Sequence, residues 1–282
     1  MRFVTFIKDG IRQAGLVQQD EVVSLDGAGF SNLLSVLQGG AEALAKVEAF
    51  AAGPRETIPL ASVTLCAPVP APPKILCMGL NYRDHAREAN LEIPKYPVIF
   101  AKYNNTVIGS GDNIVLPKNS RKPDYEAEFG FVIGRRCRHV RAEDWRGCVF
   151  GYMNCNDVSA RDYQMSVSQW TMGKNFDTFA PMGPYLVTAD EIADPHNLDI
   201  SLTLDGETMQ SSNTRELIFK IPETVAFLSS VMTLEPGDVV LTGTPAGVGF
   251  SRKPPRWLTP GAEVVVRVEG LGELRNTCVS EL

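Results

Sequence analysis

DYEAEFGFVIG, residues Asp124 to Gly134, is the stretch on which the reading of this chain turns. Side chains alternate across a strand, so Tyr125, Ala127 and Phe129 fall on one face and Glu126 with Glu128 on the other. Two carboxylates then point the same way. Like charges so placed repel, and the repulsion is tolerated where water solvates them or a cation lies between them. Alone, such a motif is more often a solvated face. A third acid changes the weighting: the run CVFGYMNCND, Cys148 to Asp157, reads as a strand that starts inside the sheet and delivers Asp157 at its end. By itself Asp157 is as readily a cap or turn residue. Three hard oxygen ligands suit Mg²⁺ or Mn²⁺, and magnesium takes few protein ligands, leaving positions for a substrate's oxygens.

Working outward, short β-branched runs dominate from Lys74 onward: Lys74 to Met78, Val98 to Lys102, Asn113 to Leu116, Glu126 to Ile133, Val149 to Asp157, Tyr185 to Thr188, Asp199 to Leu204, Val239 to Thr242 and Glu263 to Val268. Helical spacing interrupts them twice, at Arg83 to Ala89 and at Glu216 to Met232. Before Lys74 the pattern predicts three strands, Arg2 to Ile7, Arg12 to Val17 and Glu21 to Ser24, then one or two helices after Gly29. Proline-rich APVPAPPK, Ala67 to Lys74, cannot continue a helix or pair as a central strand, and it sets the expected boundary. The fold class is mainly β with some helix (α+β), with a small mixed domain over 1–70 and a larger domain over 71–282.

The chain has 282 residues, 44% of them hydrophobic, enough for a sizeable core. Acids outnumber Lys plus Arg by 33 to 27, giving a net charge of -6 and no electrostatic footprint for nucleic acid or an anionic membrane. The opening MRFVTFIKDG lacks the apolar core of a signal peptide, and no segment approaches a membrane span, so a cytoplasmic location is expected. Six scattered cysteines without a CxxC pair read as reduced, mostly buried thiols, and three distant histidines leave little for a zinc site.

Further stretches carry chemistry. In NYRDHAREA, Asn81 to Ala89, His85 and Glu88 stand at i and i+3 on one helix face, where a carboxylate can orient an imidazole as a general base. Such pairs are also common on exposed helices. GKNFDTFAPMGP (Gly173 to Pro184) offers Lys174 to developing negative charge, and LTGTPAGVGF (Leu241 to Phe250) lets backbone near Thr244 approach a carboxylate. A surface lysine and a simple turn are the plainer alternatives, and GTPxG lacks the lysine and spacing of a phosphate loop.

In order along the chain, NYRDHxxE, DYEAEFGFVIG, NDVSARDYQ, GKNFDTFAPMGP, the SSNTREL run and LTGTPAGVG resemble the fumarylacetoacetate hydrolase family over about Lys74 to Leu282. The resemblance implies a mixed β-sandwich roll with Glu126, Glu128 and Asp157 binding a divalent cation, usually Mg²⁺, with Mn²⁺ or Ca²⁺ as alternatives. It implies that His85 and Glu88 form a water-activating dyad on a lid, with Lys174 catalytic beside them. Gln164 and Thr244 would contact substrate; Arg161 and Tyr82, in matching motifs, join them as expected substrate-binding residues. Where some relatives carry a substrate-binding arginine before the AsnTyr pair, this chain has Leu80. Members of this kind are generally homodimers, and the first 70 residues resemble an added domain with a role in assembly.

The leading expectation is therefore hydrolysis of a C–C bond in a small 2,4-dioxo acid, by water activated at His85. A metal-stabilised enolate serves equally for decarboxylation or keto–enol isomerisation of a 2-oxo dicarboxylate, the alternative. A non-catalytic carboxylate binder on the same fold is the third reading. Arg252, Lys253 and Arg256 could greet a distal carboxylate, though solvated surface charge is the plainer expectation.

Overall fold

In the computed structural model, which describes residues 1–282, nineteen strands and five α-helices form the α+β fold expected. They build a twelve-stranded mixed sheet, a five-stranded sheet and a two-stranded ribbon. The antiparallel pair Ala127–Ile133 and Val149–Asn156 lies inside the large sheet, with Glu128 opposite Cys155 and Phe131 opposite Tyr152. Every residue of both strands is buried.

Burial on both faces follows from what each face meets. Phe129, Phe131 and Ile133 join a core shared with the five-stranded sheet, including Leu202 and Val264. Phe129 stacks on Tyr152 at 5.2 Å between ring centroids. Val132, on the other face, belongs to a second core with Met153, Leu241 and the N-terminal residues Phe3, Leu16 and Val36. Glu128 shares the face of Val132, so it points into protein. The solvated-face reading of the two glutamates is thereby removed.

The N-terminal strands Arg2–Lys8, Ile11–Gln18 and Glu21–Ser24 form the expected meander. Arg2–Lys8 also pairs with Ala180–Thr188, placing Phe3 opposite Leu186, so the large sheet runs across residue 70. The two-part division of the chain, which we keep as a proposal, is not a division of the sheet. Helix Leu33–Ala52 breaks at Gly40, which adopts φ 58° and joins two helical runs. Its N-cap is Asn32, whose side-chain oxygen accepts from the Ser35 N–H at 2.9 Å. Asn32→Ala is expected to cost about 1 kcal/mol in urea denaturation, and an unchanged midpoint would show the cap to be redundant.

Several boundaries moved for identifiable reasons. The helix expected over Glu216 to Met232 spans Ile221–Val231, preceded by a separate 3-10 turn at Thr214–Glu216, because Pro222 fits only the first turn of a helix. The strand expected from Tyr185 begins at Ala180 and runs through Pro181 and Pro184, beside an irregularity in its pairing with Val149–Asn156 that tolerates missing donors. Strands Glu207–Asn213 and Glu273–Ser280 were not foreseen; both mix exposed polar side chains with few apolar ones.

Candidate active site

The hairpin places its acids at one end. Ala127 pairs with Asn156, and the Asp157 N–H donates to the Glu126 carbonyl at 3.0 Å, so the carboxylates of Glu126, Glu128 and Asp157 converge. All three are buried, with one ligand oxygen from each lying within 4.8 Å of the others. Concentrated carboxylates in a dry site need compensating charge. Lys174 Nζ supplies part of it, at 2.8 Å from Glu126 Oε2 and 2.6 Å from Asp157 Oδ2. Lys102 Nζ holds the other Asp157 oxygen at 2.6 Å, and Arg161 Nη1 lies 2.7 Å from Glu126 Oε1.

Glu128 has no such partner. The Gly243 N–H donates to its Oε2 at 2.6 Å, yet burial together with Asp157 and Glu126 pushes its carboxyl well above the usual range. Burial also opposes ionisation of Glu126, but Lys174 and Arg161 outweigh it and hold that carboxyl below its ordinary value. Burial would lower Lys174, and Asp157 with Glu126 reverse the sign and raise it. An unbalanced carboxylate beside two that are paired with cationic side chains, all hard oxygen donors, fits a hard divalent cation, and the three could hold one. Gly243 sits at φ 96°, where a Cβ would also come 2.9 Å from the Asn81 Cβ, so glycine lets its N–H reach Glu128.

Above the triad, His85, Glu126, Arg161, Gln164, Lys174 and Thr244 line one cavity of about 230 Å³, walled elsewhere by apolar side chains such as Leu80, Phe100 and Trp170. His85 rides on helix Arg83–Ala89, which ends at Asn90 in a left-handed conformation. Its Nδ1 lies 3.3 Å from Glu88 Oε2, and Glu88 in turn accepts from the Gly247 N–H at 3.0 Å. Burial raises the Glu88 carboxyl, but His85, Ser251 and the Gly247 N–H together lower it. Asp84 accepts from the His85 N–H at 2.7 Å and from the Ser212 hydroxyl at 2.5 Å, tying the helix to strand Glu207–Asn213.

Not every expected residue faces the cavity. Tyr82 is fully buried in the core, its hydroxyl has no partner, and it is not in the lining, so the expected substrate contact finds no geometric support. Arg252 donates to the carbonyls of Met209 and Gly247 and so stitches its own loop, while exposed Arg256 faces Asp205 at 3.5 Å. Neither reaches the cavity lining.

Three contributors escaped the sequence reading. Lys102 ends the strand Val98–Lys102, where a lysine closing an apolar run was the available signal. Asp124 accepts from Arg161 Nε at 2.8 Å and from the N–H groups of Gly249 and Phe250, so it joins the guanidinium to the loop over the cavity. Gln210 accepts from the Ala127 N–H and donates to Thr244 Oγ1 at 2.8 Å. Nothing local in TMQSS marks it out, because its partners come from distant strands.

A buried carboxylate triad at a strand end, below a small cavity carrying a histidine–carboxylate pair, has the make-up of an enzyme site that could hold a metal ion. Residues 74–279 match the fumarylacetoacetate (FAA) hydrolase C-terminal family, and the chain belongs to it. It is 46% identical over 248 residues to oxaloacetate tautomerase Fahd2a, mitochondrial, of Rattus norvegicus, covering 88% of this chain and 79% of that one. Its fold is similar to maleylpyruvate hydrolase from Sphingobium sp. SYK-6, solved with manganese(II) and pyruvate, at TM-score 0.86 and 32% identity with both chains fully covered. It is also similar to 2-hydroxyhepta-2,4-diene-1,7-dioate isomerase from Mycobacterium marinum, at TM-score 0.78 and 33% identity, covering 100% of this chain and 99% of that one. No helix here is long and apolar enough to cross a membrane.

Proposed function

We propose that this protein interconverts the keto and enol forms of a small 2-oxo dicarboxylate of the oxaloacetate type. The alternative drawn from the sequence thus displaces C–C hydrolysis as the leading reading. The observation that carries it is the 46% identity to an oxaloacetate tautomerase, extending over 88% of this chain. A divalent cation held by Glu126, Glu128 and Asp157, Mg²⁺ first with Mn²⁺ or Ca²⁺ as substitutes, supplies electrophilic stabilisation of negative charge on a 2-oxo acid.

The chain's own residues do the rest. His85, oriented through Nδ1 by Glu88, takes a proton from C3 of the substrate and returns it to the keto oxygen, so no atom is gained or lost. The Thr244 oxygen accepts from Gln210, which leaves its O–H to donate to a substrate carboxylate. Arg161 is held through Nε by Asp124 and through Nη1 by Glu126, while its buried Nη2 has no partner and suits a second carboxylate. Lys174 adds positive charge beside the developing enolate. Leu80, Phe100 and Trp170 exclude water, which favours proton shuttling over attack by water.

The second reading is hydrolysis of an acylpyruvate-type substrate, favoured by the His85–Glu88 pair and by the likeness to maleylpyruvate hydrolase. The test follows enol absorbance of oxaloacetate with Mg²⁺ and with EDTA, beside cleavage of acetylpyruvate and fumarylpyruvate and release of pyruvate from oxaloacetate. Chelator-sensitive enol–keto conversion without cleavage is expected. Cleavage of a dioxo acid would move the assignment to hydrolase, pyruvate release to decarboxylase, and binding without turnover to the non-catalytic reading. Ser212→Ala, which frees Asp84, is expected to lower kcat/KM about fivefold, near the worth of one hydrogen bond; an unchanged value would remove the helix-tying role.

We also propose a homodimer, in keeping with exposed apolar Met165, Val167 and Met172 on the segment that follows Arg161 to Gln164. Light scattering at the mass of one chain would overturn it.

A further inference from the structure

The two strands that carry the triad are joined at their other end by the segment Gly134 to Cys148. Glu128 and Gly134 are six residues apart along one strand, which separates them by about 20 Å. Five of the chain's 17 arginines fall in this short segment, Arg135, Arg136, Arg138, Arg141 and Arg146, in a protein of net charge -6. All five are exposed, and with His139 they line one open surface cavity of about 760 Å³.

Partners account for only part of this charge. Arg136 pairs with Glu235, and Arg141 pairs with Glu143 and Asp144, the two carboxylates of the lining, which leaves five guanidiniums against two acids. Arg135, Arg138 and Arg146 face no carboxylate within ion-pairing distance; Arg138 donates to the Ser229 carbonyl, and Arg146 lies 4.6 Å over the Trp145 ring. Trp145 is buried and fixes that guanidinium from below.

The segment's backbone is pinned. Cys137 and Leu234 exchange both N–H···O bonds at 2.9 Å, and the His139 N–H donates to the Ser229 carbonyl at 2.9 Å. His139 adopts φ 53°, in the left-handed region, at a bend within the segment. Like charges held together on a rigid frame repel, and a multivalent anion with clustered oxygens relieves that repulsion through bidentate contacts.

We propose that this arginine-lined cavity binds a small anion carrying two or more linked phosphate groups, either free polyphosphate or the phosphate chain of a nucleotide. Its separation from the triad leaves substrate binding undisturbed, so the site stands apart from the function proposed above.

The test is calorimetry on the full chain at low ionic strength with tripolyphosphate, ATP and citrate, repeated with Arg135→Ala/Arg146→Ala. Neither side chain hydrogen-bonds another residue, so the fold should survive, which circular dichroism checks. Saturable tripolyphosphate binding is expected, weakened by salt and by at least roughly tenfold in the double variant, with oxaloacetate turnover unchanged. ATP binding equal to tripolyphosphate supports the phosphate chain as the ligand, and tighter ATP binding supports a nucleotide. No saturable binding, equal binding by the double variant, equal affinity for citrate, or binding only to phosphatidylserine vesicles would overturn the proposal.

Discussion

His85→Ala is expected to lower the proposed oxaloacetate tautomerisation by about 10²- to 10⁴-fold, the usual worth of a positioned general base, while the expected rise in melting temperature on adding Mg²⁺ persists. His85 lines the cavity on the helix Arg83–Ala89 together with Glu126, and its one ion-pair contact is with Glu88. None of its recorded hydrogen bonds reaches the triad, so truncation removes proton transfer and leaves the carboxylates and their lysines in place. Because Glu88 also accepts from Gly247, Glu88→Gln is expected to retain the helix position and lose less activity than His85→Ala. Near-normal turnover in His85→Ala would remove the base. Loss of the Mg²⁺ effect in the same variant would show that the histidine acts through the metal site instead.

Glu128→Gln separates binding from folding. In the metal-free protein Glu128 is the carboxylate that burial and its two acidic neighbours disfavour, while its Oε2 accepts the Gly243 N–H. Glutamine keeps an acceptor for that N–H and removes one of the repelling charges. We expect the metal-free variant to be more stable by roughly 1 kcal/mol, the scale of gain typical when function no longer holds a strained charge. The wild type should gain about 2.7 kcal/mol at a cation concentration one hundred times its Kd, and the variant should gain none of it. Calorimetric melts with and without Mg²⁺ read both effects. A variant that still gains stability from Mg²⁺ would take Glu128 out of the ligand set; one less stable without metal would show that its charge supports the fold.

Much of the site was legible because its signals are local. Alternation put Glu126 and Glu128 on one face, a strand end delivered Asp157, and helical spacing joined His85 to Glu88; all three relations are present. The Gly-led stretches singled out Lys174 and Thr244, and the resemblance added Arg161 and Gln164; all four share the cavity with His85. Tyr82 shows where motif membership misleads, since a residue can lie in a matching stretch and still face the core. Strands Glu207–Asn213 and Glu273–Ser280 were missed because edge and hairpin strands of mixed polarity carry weak periodicity.

The sequence alone determined the α+β class, the two same-face glutamates, an acid at a strand's end and the histidine–carboxylate pair, since each depends on spacing within a single strand or helix. Tertiary structure decided whether those acids would be solvated. Glu128 is buried beside groups that only the fold brings to it, among them the Gly243 N–H, 115 positions away. Only the fold could recruit Lys102 to Asp157, Asp124 to the Gly249 loop and Gln210 to Thr244. Charge compensation and hydrogen bonding in a buried site act through distance in space, which sequence separation does not record.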